Sequence, residues 1–101
     1  MATSTPASFY ESAAPTSATT AYTVPSSTTA VLTDIVIAND DANQQTVRIL
    51  VNGVPIVPSV PISGNTVVNF QFRKVIGTGK VITVSASSAN VNLHLSGVTI
   101  A

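Results

Sequence analysis

A chain of 101 residues with four Lys plus Arg, four Asp plus Glu, one His and neither Cys nor Trp reads as one domain. It has no means of building a disulfide scaffold, a thiolate nucleophile or a Cys-ligated zinc site. The formal net charge is zero and only 8% of residues are charged, against about a quarter in an ordinary soluble domain. That excludes the basic surface on which nucleic-acid binding rests and points to a chain that works inside an assembly. β-Branched residues dominate, with 15 Val, 8 Ile and 14 Thr against 4 Leu; they stiffen χ1 and suit a pleated sheet, so the expectation is all-β.

Residues 1–20 stand apart. Ala, Ser, Thr and Pro make up almost the whole segment, and Glu11 is its one charge. Such composition buries too little apolar area to offset its own ordering entropy, so the segment reads as an extended N-terminal arm preceding a body at 21–101. With no basic residue and no continuous apolar run, it does not read as a secretory signal. Phe9, Tyr10 and Glu11 are the arm's candidate contacts to a partner, because adjacent aromatics supply large contact area at low entropic cost.

The body consists of short extended runs broken by turn residues. Ala21–Val24 is a strand stopped by Pro25-Ser26-Ser27. Ala30–Ala38 is apolar on both faces, with Val31, Ile35 and Ile37 opposite Leu32, Val36 and Ala38, as in a central strand. Asn39-Asp40-Asp41-Ala42-Asn43 is a loop. Gln45–Val51 precedes Asn52-Gly53, the strongest hairpin signal in the chain. Val54–Ile62 carries Pro55, Pro58 and Pro61 and fits only a sheet edge. Ser63-Gly64-Asn65 is a turn. Thr66–Arg73 alternates with Val68, Phe70 and Phe72 on its core face. Lys80–Ala86 does so with Ile82, Val84 and Ala86, and Asn90–Ser96 with Val91, Leu93 and Leu95 inside and Asn92 and His94 outside. Val98–Ile100 either continues that strand or pairs separately.

About seven strands with turn signals every ~8–12 residues predict a compact antiparallel β-sandwich, Ig-like or jelly-roll-like. A body of this size buries only about 60–65% of its unfolded surface, so it has reason to gain stability from partner subunits. Ile49–Phe72 is uncharged and long enough to cross a bilayer, but its prolines, glycines and asparagines make it strands and turns. No membrane partner is expected.

Candidate chemistry is thin. His94 is the only imidazole, so a Ser-His-Asp mechanism would need it, with Asp34, Asp40 or Asp41 orienting the ring. It lies on the outer face with no strained nucleophile turn beside it, and a solvated or interface histidine is the plainer reading. Gly77-Thr78-Gly79-Lys80 looks like part of a phosphate-binding loop but lacks the spacing and the following helix; it reads as a hairpin turn. Asp40 and Asp41 with Asn39 and Asn43 offer oxygens for calcium but no distant bidentate carboxylate; they read as a solvated turn. No catalytic residue, metal or cofactor is expected. A surface of Ser, Thr, Asn and Gln with few charges suits polar, wet interfaces.

The stretch Ala21-Tyr22-Thr23-Val24-Pro25, the turn Ser26-Ser27-Thr28-Thr29 and the strand from Ala30 to Asn39 resemble the opening of small β-sandwich structural proteins of tailed bacteriophages. Val47–Gly53, Lys80–Ala86 and Val91–Val98 are similar to the later strands of such proteins. The resemblance covers residues 21–100 and brings no catalytic residue. It implies a virion protein, foremost a decoration (cement) protein on the outer capsid surface whose partners are the major capsid protein and further copies of itself, commonly as a trimer at a symmetry axis. The alternatives are a neck, tail or fibre component, or a carbohydrate- or receptor-binding module.

Overall fold

The computed structural model describes residues 3–101, with Phe72 described by its backbone alone. These residues form eight strands: β1 (Ser4–Ala13), β2 (Thr19–Thr23), β3 (Thr29–Asn39), β4 (Gln45–Val51), β5 (Val54–Ile62), β6 (Thr66–Ile76), β7 (Val81–Ala86) and β8 (Val91–Ile100). They make two antiparallel sheets with orders β1-β8-β3-β6 and β2-β7-β4-β5. The expected antiparallel sandwich is present, and its strand order decides between the two topologies left open. β1 pairs with β8, β2 with β7, β3 with β6 and β4 with β5, so the chain is one long hairpin rolled up, closed by the β3–β8 and β4–β7 pairings. This is a jelly roll. The tip of the rolled hairpin is Asn52-Gly53, at the middle of the chain, with φ of 52° and 78°, the pair of positive values a type I′ turn requires.

The inner faces meet in a core of Val, Ile and Leu. Ile35, Ile37 and Leu32 of β3 pack there with Val91, Leu93 and Leu95 of β8, Val47, Ile49 and Val51 of β4, and Ile82 and Val84 of β7. β3 is central in its sheet, as its doubly apolar sequence predicts. Its alternation is not regular, however. An irregularity at Thr33 brings Leu32 to the same face as Ile35, so Leu32 is fully buried while Val36 and Ala38 stay half-buried outside. β5 is an edge strand, and its register breaks where Pro58 and Ser59 face Arg48. Ser59 takes a φ of 46° there, the local kink that lets a proline-bearing strand stay in the sheet.

The largest departure from expectation is at the N-terminus. Residues read as an arm form β1, which completes an edge of the first sheet by pairing with β8 from Ser4↔Ile100 to Ala13↔Asn92. The expected boundary after residue 20 falls inside β2. The segment is too polar to form a core alone, but it needs only to lend backbone hydrogen bonds to β8 and one ring to an existing core. That ring is Phe9, 5% exposed, at a register shift between Ser8 and Tyr10. It stacks on Tyr22 of β2 at 4.6 Å between centroids and so ties the two sheets together. Gly97 of β8 makes room for it. A Cβ at that position would collide with the carbonyl of Val31 and press on the Phe9 ring.

Candidate functional site

The β3–β4, β5–β6 and β7–β8 loops meet at one end of a body measuring 48 × 21 × 18 Å, where the densest polar network lies. Asn39 continues the inward alternation of Ile35 and Ile37 and is 2% exposed. Its side-chain amide donates to the carbonyls of Asn43 (3.1 Å), Ile62 (3.0 Å) and Ser63 (3.2 Å), and its Oδ1 accepts from the Asp41 N–H at 3.0 Å. Asp41 accepts from the Asn43 N–H at 2.9 Å, the Asn90 side-chain amide at 3.1 Å and the Ser88 hydroxyl at 3.4 Å. The backbone donor of Asn43, followed by the Asn90 amide, holds the Asp41 carboxyl below its ordinary value, since donors favour the charged form. The Asn65 N–H in turn donates to the Asp41 carbonyl at 3.0 Å. Gly64 is required here because a Cβ would run into the carbonyl of Ala42.

This cluster joins two loops to the Asp40–Asn43 turn and leaves the Asp41 oxygens facing N–H and O–H donors. Its chemistry is that of a clasp rather than a cation site. Among the described residues no group of three or more His, Asp or Glu side chains could hold a metal ion. By composition alone, Asn39 is the first residue of a solvated loop. The available signal was its spacing of two from Ile37, which places it on the core face.

The other candidates disperse. His94 is exposed on the outer face of β8, opposite Glu11 of β1 and Val36 of β3. The Glu11 carboxylate accepts from the Ser8 hydroxyl at 2.6 Å, and that of Asp34 from the Thr33 hydroxyl at 3.0 Å, while Asp41 is held in the clasp. A Ser-His-Asp relay is thus not assembled around His94. Gly77-Thr78-Gly79-Lys80 is the β6–β7 turn, closed by the Lys80 N–H donating to the Gly77 carbonyl at 3.1 Å, as its context predicts.

Of the three expected partner contacts, Glu11 alone is exposed. Tyr10 is half-buried against the core, its hydroxyl donating to the Ala13 carbonyl at 2.8 Å. Phe9 is a core residue and is not available to a partner in this fold. The Phe72 ring, expected on the core face with Val68 and Phe70, lies outside the described residues, whereas Val68 and Phe70 do pack against the core.

Among the described residues, the large apolar side chains most exposed to solvent are Val54 (63%), Val67 (64%) and Val75 (56%). All three sit on β5 or β6, the edge strands on one side of the sandwich. A groove at the end opposite the clasp runs between these strands and is lined by Val54, Ile56, Val75 and the two lysines Lys74 and Lys80. No motif marks this side in the sequence. Exposure of a valine depends on whether a neighbouring strand covers it, which alternation alone does not encode.

No protein-family model matches the sequence, and no curated protein matches it. Among solved structures, the crystal structure of an exo-β-1,3-galactanase from Phanerochaete chrysosporium with galactose aligns at 17% identity and a TM-score of 0.40, over 100% of this chain and 27% of that one. The chain thus spans about a quarter of the length of that enzyme.

Proposed function

We propose that this chain is a non-enzymatic structural protein of a virion, a decoration protein that attaches as a homo-oligomer to the major capsid protein on the outer surface of the shell and stabilises it. The observation that carries this reading is the character of the exterior. One outward row across the first sheet is Ser8, Ser96, Asp34 and Gln71, and another is Ala13, Asn92, Ala38 and Val67. Gln71 apart, such short side chains lose little rotamer entropy when covered, and all but Asp34 avoid the desolvation cost of ions. A surface of this kind suits many modest contacts repeated over a lattice, where effective concentration replaces individual strength. The jelly roll and the clasped loops supply a stiff body for that purpose.

The carbohydrate-binding alternative needs exposed rings to stack on sugar faces. Among the described rings, Phe9 is instead buried, and Tyr10, Tyr22 and Phe70 are half-buried against the core. Quantitative mass spectrometry of purified particles against the major coat protein tests the proposal. Hundreds of copies per particle are expected. A few dozen or fewer would move the chain to the neck, tail or fibre, and absence from particles would overturn the virion reading.

A further inference from the structure

We propose that β6 is the interface at which a second copy of this chain joins, antiparallel to its own equivalent and in full overlap about a two-fold axis at Gln71. A sheet edge presents unpaired backbone groups and is normally blunted. Three of the four edges here are. β1 carries Pro6 and a register shift at Phe9, β2 has five residues with a shift of its own, and β5 carries Pro55, Pro58 and Pro61. β6 also has a register shift, where Phe72 and Arg73 face Thr33 of β3, but it runs eleven residues with neither Pro nor Gly.

The sequence of β6 is complementary to itself in one register. Thr66 and Ile76 bound the strand, so Gln71 is its midpoint, and full antiparallel overlap sets Val67 of each copy opposite Val75 of the other. Both valines lie on the outer face, opposite Ala38 and Val31 of β3, and both are more than half exposed in the single chain. The same register places Arg73 opposite Asn69 and Lys74 opposite Val68. Moving the centre two residues onto Arg73 would set two guanidinium groups face to face, so charge disfavours that register, while the Val67–Val75 pairs favour the one centred on Gln71.

The remaining charges agree with that arrangement. The Asp40–Asp41 turn adjoins the start of β6 through the Asn65–Asp41 hydrogen bond, and Lys74 and Lys80 flank its far end. Antiparallel overlap brings the acidic end of each copy beside the basic end of the other, twice. The strand spans roughly 36 Å along a body 48 Å long. With β5 and its exposed Val54 beside it, this side has room for the ~800 Å² per partner that a stable interface takes. The symmetry is two-fold and isologous, which differs from the trimer implied by the phage resemblance.

The test uses the purified chain alone, so it is independent of whether the chain attaches to a capsid. Light scattering or sedimentation is expected to give twice the 10.3 kDa chain mass. V67E and V75K, each at an exposed position, are expected to keep the wild-type circular dichroism while weakening association by about tenfold or more, because a charge is set against a valine. Combining V67E with V75K places Glu opposite Lys twice across the axis and is expected to restore the dimer. A monomer at submillimolar concentration, a trimer, single variants that associate like wild type, or a double variant that does not recover would each overturn the proposal.

Discussion

The two edges of the first sheet are held in place by different physics. β1 is a polar strand kept by one ring: Phe9 leaves the alternation at a register shift, enters the core and stacks on Tyr22 of the opposite sheet. β6 contributes Val68, Phe70 and Ile76 to the inner side, but its start is fixed from outside the core by the clasp of Asn39 and Asp41 on the loop that precedes it. A hydrophobic plug makes β1 a finished edge that turns no large aliphatic side chain outward. A polar clasp leaves β6 with two valines outside. One edge is built to end the sheet and the other leaves it open to extension.

The sharpest way to break this contrast is to remove the plug. Phe9→Ala is expected to cost about 3–5 kcal/mol in urea unfolding, as a large aromatic deletion in a core does, whereas Val67→Ser and Val75→Ser are expected to shift the stability of the single chain by about 0.5 kcal/mol or less. Deleting residues 1–14 removes β1 and Ala14 with the ring and exposes the edge of β8. Loss of the cooperative unfolding transition is the expected result, and a truncated chain that melts like the full one would show that β1 is dispensable after all.

Gly97→Ala attacks the same edge from beneath. The added methyl meets the carbonyl of Val31 and the Phe9 ring, neither of which can yield without disturbing two strand pairings, so a loss of about 1–3 kcal/mol is expected, the usual cost of overpacking. Hydrogen exchange should show that loss concentrated in β1 and the last half of β8, with β6 largely spared.

These positions also mark the limit of what the sequence discloses. The strands from β3 to β8 are legible, because period-two alternation, the three prolines of β5 and the Asn52-Gly53 turn all state local requirements of the backbone. The shifts at Phe9, Thr33 and Pro58-Ser59 are not, because an extra residue in a strand is defined only against the partner it fails to match. Missing the shift at Thr33 puts Leu32 on the wrong face. β1 is illegible for a related reason: Ser-Thr-Pro-Ala-Ser has no apolar face of its own, and its place is created by the free edge of β8. Of the candidate sites, the turn at Gly77–Lys80 and the outward His94 were readable from context. The clasp is legible only in part: the spacing of Asn39 from Ile37 puts it on the core face, but the carbonyls it serves come from residues up to 24 positions away.

Asn39→Ala turns from the plug to the clasp. It leaves the carbonyls of Asn43, Ile62 and Ser63 without that donor, and a loss of about 1–3 kcal/mol is expected where such groups are buried. Its signature should be the reverse of that of Gly97→Ala, with faster hydrogen exchange in the Ser63–Asn65 turn and the first residues of β6 and little change in β1.

Acid is the mildest probe of the same contrast, because it loosens the clasp without altering a residue. Asp41 has its carboxyl held below the ordinary 3.8 by the Asn43 N–H and the Asn90 amide. A group whose pKa is depressed on folding contributes stability that is fully present above its unfolded value and is lost as pH falls through the folded one. Thermal stability should therefore decline from just below pH 3.8 downward, with the β5–β6 turn exchanging first and the Phe9 edge last. Asp41→Asn presents an amide to donors that need an acceptor. It is expected to melt lower than wild type at neutral pH and to show a shallower decline in acid. If the two acid limbs run parallel, the acid response originates elsewhere, and the start of β6 is held by the Asn39 hydrogen bonds without help from the carboxylate.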